Sequence, residues 1–124
     1  MPRQTIGGMS AQGLPFSKAV RAGDFVYVSG QVAFDKNGRL VEGGIEDQTR
    51  QTMQNIEDVL KEAGCSMEDV VKVNVWLDDA RDFGRFNSTY GEFFPKDAPA
   101  RSTVESKLMI DGKIEVDCIA YKPV

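Results

Sequence analysis

Between Ile45 and Ala63 the apolar residues recur at helical spacing while the segments on both sides alternate, and that change of period limits the chain to a mixed α/β architecture. Ile45, Thr49, Met53, Ile56, Leu60 and Ala63 follow one another at steps of four, four, three, four and three, which puts them on one helical face. Gly64 stands where a C′ glycine closes a helix. The pattern predicts a helix of about 18 residues with Glu46, Arg50, Glu57 and Lys61 toward solvent.

Strand signals flank that helix. Phe25-Val26-Tyr27-Val28-Ser29 is β-branched and aromatic, and Gln31 to Phe34 reads as its continuation past a bulge at Gly30. Asp35-Lys36-Asn37-Gly38 carries Asn-Gly turn chemistry leading into Arg39-Leu40-Val41. After a short capped turn at Ser66-Met67-Glu68-Asp69, Val71, Val73, Val75 and Leu77 alternate with Val70, Lys72, Asn74 and Trp76 as a strand. Asp79 can cap a second helix, whose aromatic face of Phe83, Phe86, Tyr90 and Phe93 or Phe94 reads as core. Pro95 and Pro99 end that helix, and two strands follow, Ser102 to Met109 and Lys113 to Tyr121, joined as a hairpin through Asp111-Gly112. The expected order is ββ, α, β, α, ββ in one domain spanning residues 1–124. A chain of that length buries roughly two-thirds of its unfolded surface and needs no disulfide staples.

The absence of histidine is the sharpest constraint on chemistry. It removes Ser-His-Asp and Cys-His triads, histidine acid–base catalysis and every zinc site that uses histidine. The net charge of −4 with scattered basic residues gives no cluster to neutralise a phosphate backbone, so nucleic acid is not the expected partner. No run approaches the roughly 20 apolar residues of a membrane span, and Met1-Pro2-Arg3-Gln4 opens no signal sequence. The expectation is a cytoplasmic protein, not bound to membrane, with Cys65 and Cys118 as free thiols.

Two positions suggest a site. Arg101 enters a strand directly from the proline-rich loop Pro95-Lys96-Asp97-Ala98-Pro99-Ala100, where a guanidinium could clamp a carboxylate through two parallel hydrogen bonds. Glu115 and Asp117 share one strand face at i, i+2, close enough for one to raise the pKa of the other. Position alone favours plainer readings, a surface ion pair and solvated carboxylates. The last strand has a second implication, because Glu115, Asp117, Ile119 and Tyr121 make a mixed face that invites burial against other copies of the chain.

Longer motifs go further. Pro99-Ala100-Arg101-Ser102-Thr103-Val104-Glu105, followed by Lys113-Ile114-Glu115-Val116-Asp117-Cys118-Ile119-Ala120, resembles the C-terminal signature of the RidA family, also called YjgF or L-PSP. Leu14-Pro15-Phe16-Ser17-Lys18-Ala19-Val20 is similar to its G-P-Y-S-x-A-V segment, and Phe25 to Gln31 to its strand ending in S-G-Q. Val70 to Leu77 and Asp82 to Phe94 resemble its central strand and second helix. The resemblance implies a chorismate-mutase-like α/β fold: a mixed sheet of about six strands, with two helices on one face. It further implies assembly as a trimeric barrel with clefts between subunits. It also implies a hydrolytic deaminase that converts enamine and imine intermediates, such as 2-aminoacrylate and 2-iminopropionate, to 2-oxo acids and ammonia. Arg101 matches the family's substrate-carboxylate arginine and Glu115 its water-associated glutamate, while Phe16, Ser29, Asn87 and Thr103 match positions near the cleft. No cofactor or metal is expected, because an imine carbon is already electrophilic and needs only orientation and one activated water.

The chain departs from the family pattern in three places. Phe16 lacks the hydroxyl of the tyrosine common there, Thr103 stands where many members have cysteine, and the Pro95 to Ala98 segment is shorter than in several members. These leave the substrate open, including related enamines such as aminomuconate or aminoacrylate derivatives. Two other readings stay alongside: a non-catalytic trimer that binds small carboxylates, and an L-PSP-type endoribonuclease or translation inhibitor.

Overall fold

A computed structural model describes residues 3–9 and 12–124; Met1 and Pro2, at the head of the segment read as lacking a signal, lie outside them. The strands are β1 (Gln4–Met9), β2 (Ser17–Ala22), β3 (Phe25–Gln31), β4 (Val70–Leu77), β5 (Ala100–Glu105) and β6 (Ile114–Tyr121), and the helices are α1 (Ile45–Glu62) and α2 (Phe83–Gly91). One six-stranded sheet has the order β1-β2-β3-β6-β4-β5. Every neighbouring pair is antiparallel except β4 with β5, which makes the sheet mixed. This is the α+β architecture expected from the sequence, with a six-stranded sheet and two helices.

The helix period at Ile45 becomes α1, which buries Ile45, Met53, Ile56, Val59 and Leu60. The opposing sheet face supplies Val26, Val28, Val73, Val75, Val116 and Cys118 to the same core. Gly64 closes the helix as its spacing predicted, with φ +80°. Its N–H donates to Lys61 O at 3.0 Å and that of Cys65 to Leu60 O at 2.8 Å, the paired bonds of a Schellman ending. Polar side chains of α1 also serve the fold. Gln48, buried, donates to Val41 O at 3.0 Å and accepts from Lys113 N at 2.9 Å, fastening the 32–44 connection to the start of β6. Cys65 and Cys118 are buried free thiols.

Several expectations are corrected. β1 and β2 precede the first expected strand, so the sheet begins earlier in the chain than its alternation suggests. The Asn37-Gly38 turn forms, but it closes only an isolated bridge between Phe34 and Leu40, not a strand pair. The larger correction concerns the last two strands. β5 and β6 are not a hairpin, because β4 lies between them, pairing with β6 on one side and running parallel to β5 on the other. Both edges of β6 are taken by β3 and β4, so β5 can only add at the outer edge. A bulge between Val70 and Lys72 changes the face of β4, burying Val70 and leaving Val71 exposed. A second bulge, between Val28 and Gln31, falls at Gly30 where the sequence placed one.

Candidate active site

The parallel register decides where Arg101 points. Val73 of β4 is Arg101's partner on β5, and Val73 is buried beneath the helices, so Arg101 lies on the helix-covered side of the sheet. There its guanidinium carbon sits 4.9 Å from the ring centre of Tyr90, 5.2 Å from that of Phe86 and 5.7 Å from that of Phe83. These rings recur at helical spacing along α2 and touch one another, Phe83 stacked on Phe86 at 6.4 Å and Phe86 tilted against Tyr90 at 5.3 Å. Phe86 and Tyr90 belong to the core as expected, but Phe83 is 45% exposed, a correction that follows from its place on the first residue of the helix. Thr103 follows Arg101 on the same side, its buried hydroxyl without a hydrogen-bond partner among the described residues. Asn87 is half-buried on α2 beside Phe86.

Glu115 belongs to the other side. Ile114, Val116, Cys118 and Ala120 face the helices, leaving Glu115, Asp117 and Ile119 half-buried on the uncovered face. The carboxyl of Glu115 lies over Gly30, and a Cβ at that glycine would collide with it. Ser29, next to Gly30, donates its hydroxyl to Ser17 O at 2.6 Å. Phe16 stands exposed at the entry to β2, whose register brings it to the same end of the sheet. Phe16, Ser29, Gly30 and Glu115 thus form one group, and Arg101, Thr103 and Asn87 another.

One chain does not bring the two groups together. Two strand spacings across the sheet and three residues along it put the backbones of Arg101 and Glu115 about 14 Å apart, and their side chains leave from opposite faces.

The electrostatics suit each group to a different task. Arg101 forms no ion pair with any described residue; its polar neighbour is the Tyr90 phenol, so no carboxylate among the described residues occupies its planar donors. Burial raises the pKa of the Glu115 carboxyl, and the neighbouring Asp117 raises it further. Burial also raises Asp117, but Asn74 Nδ2 donates to Asp117 Oδ1 at 3.0 Å and holds the shift back. The dyad therefore has an anchored member and a free one, and Glu115 is the free one. Among the described residues no group of three or more acidic or thiol side chains gathers to hold a metal ion. Gly30, Asn74 and the α2 rings are parts of the site that sequence reasoning missed. Gly30 carried a signal only as a bulge and as part of the S-G-Q motif, and the rings only through their 83/86/90 spacing, which read as core.

The family model described as Endoribonuclease L-PSP matches residues 9–122. A RutC family protein of Pyrococcus horikoshii is 47% identical over 110 residues, 87% of each chain. The mitochondrial protein mmf2 of Schizosaccharomyces pombe is 45% identical over 112 residues, 87% of this chain and 88% of that one. The crystal structure of RidA from the Antarctic bacterium Psychrobacter sp. superposes with a TM-score of 0.85 at 36% identity, covering 98% of both chains.

Proposed function

This chain belongs to the endoribonuclease L-PSP family, which takes in the YjgF and Rid proteins, and from that premise we propose that it hydrolyses imines and enamines of small 2-amino acids to 2-oxo acids and ammonia. The observation that carries the reading is Arg101: a half-buried guanidinium that no anion among the described residues satisfies, next to a threonine hydroxyl with no hydrogen-bond partner among them. A substrate carboxylate completes it through two parallel charge-assisted bonds.

Glu115 supplies the second function. A carboxyl with a raised pKa exchanges protons near neutral pH more readily than an ordinary glutamate. It accepts a proton from the water as the oxygen bonds to the carbon of the protonated imine, giving a carbinolamine. It then returns that proton to the amine nitrogen; the C–N bond breaks with its electron pair leaving on ammonia, and the carbinolamine hydroxyl releases its own proton as the C=O bond forms.

Because Arg101 and Glu115 leave opposite faces of one chain, the working site is shared between copies, one giving the Arg101 group and another the Glu115 group. The uncovered sheet face supports this, since it carries Phe25, Tyr27, Val104 and Tyr121, all exposed large apolar side chains that packing between copies would cover. We assign this burial to a homotrimer with a cleft at each junction. The cytoplasm is our proposed compartment; the fission-yeast relative is named mitochondrial, and the chemistry needs nothing particular to either.

The test is to generate 2-iminopropionate in situ with an amino acid oxidase and follow its decay. We expect acceleration by the wild-type protein and its loss in Arg101→Ala and Glu115→Ala. Undiminished binding of a 2-oxo acid by Glu115→Ala, with no turnover by either protein, would instead identify a carboxylate-binding trimer. The family description also names a ribonuclease, but the net charge of −4 disfavours a phosphate-backbone partner. RNA cleavage that survives repurification and disappears with Arg101→Ala would replace the deaminase reading.

A further inference from the structure

We propose that the α2 aromatic face is a cation–π seat that positions Arg101, with Phe83 as its outer, solvent-facing member. The inference rests on the reading that Arg101 binds a carboxylate, and it addresses how the arginine is kept ready for one. An arginine on an edge strand has side-chain rotamer entropy to lose when it is fixed. An ion pair with a protein carboxylate would fix it, but would also occupy the donors that the substrate needs. Three ring centres within 5.7 Å of the guanidinium carbon hold it differently, because rings attract the flat face of the cation and leave its N–H groups free.

Three acids of this region are engaged elsewhere. Glu105, two positions past Thr103 on the same side of β5, accepts the Ala80 N–H at 2.8 Å. Glu92, following α2, pairs with Arg50 at 3.2 Å, and Asp79 is clamped by Arg81 at 2.7 Å. Tyr90 brings no negative charge: burial pushes its phenol up to about 12 against the lowering effect of Arg101's charge and of its side-chain contact with that phenol, so it meets the cation as a neutral group. The three rings therefore surround the cation without adding a negative charge of their own. Phe86 and Tyr90 are structural as well, being buried. Phe83, 45% exposed, can be altered without opening the core.

The experiment is calorimetric titration of the assembled protein with 2-oxobutyrate, alongside imine-decay kinetics, for wild type, Arg101→Ala, Phe83→Leu and Phe83→Trp. Phe83→Leu keeps an apolar side chain and removes the ring quadrupole. It should weaken binding roughly 2- to 30-fold and raise KM by the same factor, with kcat nearly unchanged. Phe83→Trp, with the stronger quadrupole, should bind at least as tightly as wild type. A purely structural role for Phe83 would lower Tm and kcat together and would not distinguish leucine from tryptophan. Loss of binding in Arg101→Ala with wild-type binding in Phe83→Leu would overturn the seat and leave the carboxylate reading standing. Undiminished binding in Arg101→Ala would overturn the carboxylate reading itself. Should Phe83→Leu fail to fold, Phe83→Trp alone decides, and weaker binding there would overturn the proposal.

Discussion

The carboxyl of Glu115 occupies the space over Gly30 that a side chain at that position would fill. The contact is with the end of a flexible side chain and not with backbone, so an added methyl displaces the carboxyl and leaves the strands where they are. Gly30→Ala should therefore fold with a nearly unchanged Tm yet lose much of the acid–base contribution of Glu115, for which about 10²-fold in kcat is the lower end of the usual range. Thermal unfolding and imine-decay rates on the same preparation check both halves. A variant with normal kcat would show that Glu115 does not act from this position.

Asp117 raises the pKa of Glu115, and burial does so more strongly. If deprotonated Glu115 is the base, kcat/KM falls as pH drops through that pKa. Removing the neighbouring negative charge with Asp117→Asn lowers the pKa, so the acid limb of the profile should move to lower pH. It should stay above the ordinary carboxylate range, because the burial remains. A limb that stayed in place would assign it to a group other than Glu115.

The same shift has a consequence for stability. A carboxyl whose pKa is higher in the folded than in the unfolded chain binds more protons when folded. Stability is then lost as pH rises from the unfolded value, about 4.3 for glutamate, through the folded one. Above that window the charged form is held at a cost. Glu115→Gln should accordingly melt higher than wild type at neutral pH, with the difference disappearing near pH 4. A Tm comparison at the two pH values measures it, and a destabilised variant at neutral pH would show that Glu115 gains a favourable partner in the assembly.

The sequence made the elements with strong periods legible. Ile45 to Ala63 repeats at helical steps and Val73 to Leu77 alternates, and both became what their patterns required. β1 and β2 were missed because they hardly alternate. Gln4-Thr5-Ile6-Gly7-Gly8-Met9 contains two adjacent glycines, and in β2 only Ala19 is buried. The hairpin expected between β5 and β6 failed for a different reason: hydrophobic pattern reports faces, not neighbours, and the insertion of β4 leaves no mark on the residues flanking Asp111-Gly112. The site was legible as a set of residues but not as an arrangement. No residue of β5 is fully buried, so its sequence does not reveal which side Arg101 takes. Only the pairing of Arg101 with buried Val73 settles that it lies under α2 while Glu115 lies on the open face.

Thr103 offers the cleanest separation of binding from folding. Its hydroxyl is buried beside Arg101 with no hydrogen-bond partner among the described residues, which costs free energy because the group has left water without gaining a bond in the protein. Thr103→Val keeps the shape and removes that penalty, so the unliganded variant should be as stable as wild type or more so. If the hydroxyl is kept to meet a polar atom of the substrate, the variant should bind 2-oxobutyrate about three- to tenfold more weakly, the value of one neutral hydrogen bond. Thr103→Ser should keep that affinity while losing stability from the missing methyl. The opposed signs of the two effects in valine and serine distinguish a ligand contact from a packing residue. Equal affinity in both would return Thr103 to the core and leave the carboxylate to Arg101 without its help.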